Sequence, residues 1–119
     1  MVNIEELVIN YLNDNGIDAY IQMPETVRNP GSGAEFVIVQ KTGSGWLNRL
    51  CEATIAIQSY APTLYRASQL NYQIIELMQG IISLEEVTSC KLNSDYEFTD
   101  TTNKRPRYQA VFDIRHYQE

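Results

Sequence analysis

Apolar and polar positions alternate along this chain with two different periods, and the switches between them divide it into elements. Ile4, Leu7, Val8 and Tyr11 recur at helical spacing, Asn3 and Glu6 have the spacing of a capping box, and Gly16 supplies a left-handed stop, so residues 3–14 are expected to form an amphipathic helix. Residues 17–23 read as a short strand, followed by Pro24, Asn29, Pro30, Gly31, Ser32 and Gly33, where neither helix nor strand persists. Phe36-Val37-Ile38-Val39 predicts a strand that is apolar on both faces, and Leu50 to Tyr60 a longer one of mixed polarity. Residues 42–48, rich in glycine and serine, are expected to be the flexible turn between them.

Leu64, Ala67, Leu70, Ile74, Leu77 and Met78 return to helical spacing, with Pro62 suited to a first helical position and Gly80 to the end, predicting a long helix over 62–79. Extended patterns resume over 87–98 and 107–117, joined by a polar turn at 100–104. In the last run Tyr108, Ala110, Phe112, Ile114 and His116 share one face and the residues between them share the other. The order lacks alternating crossover units, which predicts an α+β fold: one mostly antiparallel sheet of about five strands with two helices packed on one face.

At 119 residues the chain fits one domain, 1–119, and 44% hydrophobic with 20% charged residues is a globular composition. A net charge of −6 disfavours tight binding to duplex DNA. The first residues lack a basic stretch and an uninterrupted apolar run, so use in the cytoplasm, or in something assembled there, is expected. Cys51 and Cys90 belong to no CxxC or Cys/His grouping and read as buried thiols.

Candidate chemistry is sparse. The clusters Gly31-Ser32-Gly33 and Gly43-Ser44-Gly45 neither continue into a GK[ST] sequence nor open a predicted helix, which argues against phosphate cradling. His116 is the only histidine, and Asp113, three residues before it, points to the opposite face of a strand, so no nucleophilic triad assembles. Glu5-Glu6 and Glu85-Glu86 diverge as adjacent pairs, and Asp95, Glu97 and Asp100 lack calcium-loop spacing. No catalytic, cofactor or metal site is therefore expected. Lys104, Arg105 and Arg107 beside Tyr108 form the only basic cluster, suited to an exposed turn, a protein interface or a nucleic-acid contact. Trp46 and Leu47, Tyr60 and Tyr65, and Tyr96 and Phe98 are the aromatic and apolar residues near loops, where partner surfaces concentrate such side chains.

The segments IQSYAPTLYRASQLNYQIIELM and LNSDYEFTDTTNKRPRYQAVFDIRHY resemble the tail terminator, or tail-neck, proteins of long-tailed bacteriophages, above all at Tyr96, Phe98, Asp100, Thr101, Tyr108 and Phe112. The resemblance covers roughly residues 36–117. It implies a virion subunit that closes into a ring, usually a hexamer, on the head-proximal end of the tail tube. Such a ring halts tube polymerisation and meets the head connector, and DNA passes through its lumen without sticking. Ring closure needs two complementary faces, for which Trp46 and Leu47, and the turn carrying Phe98, Asp100, Arg105 and Arg107, are the candidates, with Tyr60, Tyr65 and Tyr96 beside them. A related connector or head-completion protein is the nearest alternative; a small nucleic-acid-binding protein using Lys104 to Tyr108 is one of a different class, and a hydrolase relying on His116 another.

Overall fold

A computed structural model describes residues 3–28, 33–47 and 50–117. Helix α1 (Ile4–Asp14) starts where expected: Asn3 Oδ1 accepts from the Glu6 amide at 3.1 Å, and Gly16 takes a φ of +85° just past the helix end. Strand β1 is only Ala19–Tyr20, because the chain then turns through Pro24 into a 3-10 turn at Glu25–Val27. The strand expected over 17–23 is thus cut to two residues.

Strand β2 (Phe36–Leu47) and β3 (Leu50–Tyr60) form the long hairpin. The glycine-serine stretch expected to be its turn is strand instead: Gly43 to Trp46 pair with Thr54 to Cys51 after one bulge beyond Lys41. Cross-strand pairing along β3 holds these glycines extended despite their low strand propensity. Helix α2 (Leu64–Gln79) begins at an N-cap Thr63, whose Oγ1 accepts from the Arg66 amide at 3.1 Å, so Pro62 lies before the cap and not inside the helix. Strands β4 (Val87–Glu97) and β5 (Arg107–Tyr117) form the second hairpin.

The sheet order is β1-β2-β3-β5-β4, with β1 parallel to β2 and every other pair antiparallel. Both helices pack on one face. Ile4, Val8 and Leu12 of α1 and Leu70, Ile74 and Met78 of α2 meet Val37, Val39, Ala53, Ile55, Ile57, Ala110, Phe112 and Ile114 of the sheet in one buried core. Phe36, Ile38 and Tyr60 project from the other face into a smaller cluster with Met23, Val27 and Ala34. All four residues of Phe36-Val37-Ile38-Val39 are therefore buried, alternately on the two faces, as their uninterrupted apolar run predicts.

Candidate functional site

The register sets the expected interaction residues at the two ends of one sheet. Trp46 pairs with Cys51, Cys51 with His116 and His116 with Val87, which defines one end. Phe36 pairs with Tyr60 and Tyr60 with Arg107, which, with the β4–β5 turn, defines the other. Leu50 to Tyr60 spans about 33 Å at roughly 3.3 Å per residue.

The turn end is built around two guanidinium groups. Asp100 and Arg105 exchange backbone hydrogen bonds of 2.9 and 3.0 Å, and the Asp100 carboxylate accepts from the Thr102 and Asn103 amides and from Asn103 Nδ2. Those hydrogen bonds, led by the Asn103 side chain, hold the Asp100 carboxyl below its ordinary value. The turn closes with Lys104 at a φ of +54° and aims Arg105 inward. Arg105 is only 6% exposed; its guanidinium lies 5.3 Å from the Phe36 ring and 5.4 Å from the Tyr60 ring. Its Nη1 donates to the carbonyls of Val27 at 2.7 Å and Arg28 at 2.9 Å. Arg107 sits one layer out, donating from Nε to Phe98 O at 2.6 Å and from Nη1 to Tyr60 Oη at 2.9 Å, with its guanidinium 4.3 Å from the Phe98 ring.

Of the residues expected at an interface, Tyr60 and Arg105 therefore work inside the subunit. Tyr60 is 4% exposed and stacks on Phe36 at 4.8 Å, and Arg105 fastens the 23–28 segment onto the sheet. Arg107 is half-buried and Asp100 partly exposed, both tied into the turn. Tyr96 and Phe98 stay exposed and meet edge to face at 5.9 Å. Tyr65, in the first turn of α2 close to the same end, is 71% exposed. Beside it Arg66 grips Glu35 with two hydrogen bonds of 2.8 and 2.9 Å, which lowers the Glu35 carboxyl below its ordinary value.

At the opposite end Trp46 is 62% exposed, and a cleft of about 500 Å³ opens beside it over Gly43, Gly45, Glu52, Thr54 and Arg115. Leu47 pairs with Leu50 through its backbone; its side chain lies outside the described residues. The helix-free face between the ends carries a polar ladder that the sequence pattern did not single out. Arg115 pairs with Glu52 at 3.5 Å, Thr54 and Asn93 both donate to Asp113, and Gln58 Nε2 donates to Gln109 Oε1 at 3.0 Å.

His116 is buried on the helix side with Nδ1 3.1 Å from Tyr117 O, away from Asp113. Cys51 is buried, and burial pushes the partly buried Cys90 thiol up to about 11. Gly31 and Ser32 lie outside the described residues. Asp95 accepts from Asn71, Glu97 from Thr99 and Asp100 from its own turn, so these carboxylates do not converge, and among the described residues no three potential metal ligands gather. No helix among the described residues is long and apolar enough to cross a membrane. No protein-family model matches the chain, and no curated protein matches it.

Proposed function

We propose that this chain is a structural subunit of a phage head–tail junction, a tail terminator that closes into a ring on the end of the tail tube and joins it to the head connector. The observation that carries the reading is that one stiff sheet presents unlike aromatic surfaces at its two ends, Trp46 beside its cleft and Tyr96 with Phe98 around the Arg107 stack. A part fitted between two different structures needs two different ends, and exposed aromatics supply contact area at low entropy cost. The resemblance over residues 36–117 supports the same reading. The nucleic-acid alternative is weakened because Arg105 and Arg107, two of the three cations it would use, are engaged inside the subunit, which leaves Lys104 as the exposed one.

The test is to incubate the purified protein with tail tubes and view them by electron microscopy while following its mass by light scattering. The proposal expects a ring at one tube end and arrested elongation. Protein that ignores tubes and instead shifts duplex or single-stranded DNA, with affinity falling steeply as salt rises, overturns it.

A further inference from the structure

The charges of this chain are unevenly placed. Residues 3–18, which carry α1, and 76–90, which end α2 and lead into β4, hold seven of the fifteen Asp and Glu and none of the nine Lys and Arg. The eight remaining carboxylates are matched by nine cations, so the net charge of −6 resides in these two stretches. Between them runs a groove of about 430 Å³. One wall is a single flank of α1, Asn3, Glu6, Leu7, Asn10, Tyr11 and Asp14 at spacings of three and four, and the other is Leu84 with Glu86. The adjacent pairs Glu5-Glu6 and Glu85-Glu86 thus each give one carboxylate to the same groove.

Leu7, Tyr11 and Leu84 are half-buried and rest on the core, so they form the base, while Glu6 and Asp14 stand exposed at the rim and Glu86 is half-buried on the facing wall. Among the described residues none of these three carboxylates has an ion pair or accepts a hydrogen bond. An apolar base under an unneutralised anionic rim suits a long cationic side chain, whose methylenes cover the base while its head reaches the carboxylates. The same rim repels phosphate ligands. Dimensions select the backbone of the occupant. Glu6 and Asp14 lie about 12 Å apart along α1 at 1.5 Å per residue. In an extended segment, side chains at i and i+4 share one face about 13 Å apart. The same length of α-helix, about 10 Å across, fills roughly 900 Å³, about twice the groove.

We infer that the groove between α1 and Leu84–Glu86 binds an extended segment of a partner protein carrying two Lys or Arg side chains four residues apart, one set at Glu6 and one at Asp14, with Glu86 facing them. Asn10, exposed on the same flank, offers its side-chain amide to the backbone of that segment. Surface ion pairs contribute little singly, so a short segment binds weakly and is selected by the three carboxylates together. The contact uses none of the aromatic residues at the sheet ends and stands or falls independently of the proposed function.

The test is a nuclear magnetic resonance titration of the isotope-labelled full chain, at low salt, with an acetylated and amidated heptapeptide bearing arginine at its second and sixth positions and alanine or threonine elsewhere. The expected result is saturating shifts of the amides of 3–14 and 84–86, weakened as salt rises and absent with the glutamate version of the peptide. Neutralising one carboxylate, in Glu6→Gln, Asp14→Asn or Glu86→Gln, should weaken binding about two- to threefold, and all three together on the order of tenfold. Asp14→Asn removes an exposed negative charge from the C-terminal end of α1, so it should keep the fold and carries the test if the triple variant does not. A peptide that leaves these amides unmoved, or binding that Asp14→Asn does not weaken, overturns the inference. Spermidine that matches the peptide at equal charge concentration also overturns it, marking the surface as a place for counterions only. The proposed function is untouched by any of these outcomes.

Discussion

Removing the Arg105 guanidinium should be among the most damaging single substitutions at the turn end, although this residue belongs to the most polar stretch of the sequence. The side chain is 6% exposed and makes two charge-assisted hydrogen bonds to the Val27 and Arg28 carbonyls, with both cluster rings beneath it. Hydrogen bonds involving a charged partner contribute about 1.5–3 kcal/mol each, and a desolvated cation–π contact about 1–2 kcal/mol. Against that gross gain stands the cost of burying a cation that meets no carboxylate among the described residues, so about 3 kcal/mol is the net loss expected for Arg105→Ala. For a chain of 119 residues this corresponds to a fall in Tm of roughly 10 °C. Arg105→Lys keeps the charge but loses the planar guanidinium over the Phe36 and Tyr60 rings and should fall between the two. Thermal unfolding followed by circular dichroism measures the loss, and limited proteolysis should show earlier cleavage within 23–28. If Arg105→Ala costs less than about 1 kcal/mol, the range of ordinary surface substitutions, the guanidinium is not the internal fastener described here.

Lys104 next to it should behave oppositely: Lys104→Gly relieves a left-handed backbone at φ +54° and should gain about 0.5–1 kcal/mol in chemical denaturation. Thr63→Ala deletes the α2 cap and should cost about 1 kcal/mol by the same assay. Gly80→Ala would place a Cβ 2.9 Å from Tyr11 Oη, which donates to Leu77 O at 2.6 Å, and should cost about 1–2 kcal/mol by disturbing the hydrogen bond between α1 and the end of α2. Glu35 and Asp100 both have carboxyls lowered on folding, so the stability they supply is present above their ordinary values of 4.5 and 3.8 and is lost as pH falls through the folded-state values. Melting curves between pH 7 and 2 should show that acid loss reduced in Glu35→Gln and in Asp100→Asn. At pH 8 Cys90, with its thiol near 11 instead of 9.0, should react with iodoacetamide on the order of 100-fold more slowly than an unperturbed thiol, as read by peptide mass spectrometry.

Which parts of this architecture could be read in advance follows from the range of the interactions that fix them. Asn3, the Leu64–Met78 spacing and the alternation from Tyr108 to His116 are short-range signals, and the elements they announce are present within a residue or two. Gly43-Ser44-Gly45 misled because local propensity says turn, while the cross-strand partners Thr54, Ala53 and Glu52 hold it extended. The shortening of the 17–23 strand is likewise tertiary, since Met23 and Val27 fold back over Phe36 and Tyr60. Tyr60 and Arg105 looked like surface residues because aromatics and arginines near a turn commonly are. Only the contact between segments almost eighty residues apart, Val27 to Arg105, places them inside.

Whether this subunit closes into a ring between two unlike partners, as proposed, is decided by the mass of the intact protein. Light scattering across a concentration series, with and without tail tubes viewed in parallel by electron microscopy, should give a closed oligomer or a ring seated on one tube end. A monomer at every concentration that leaves tubes bare contradicts the claim.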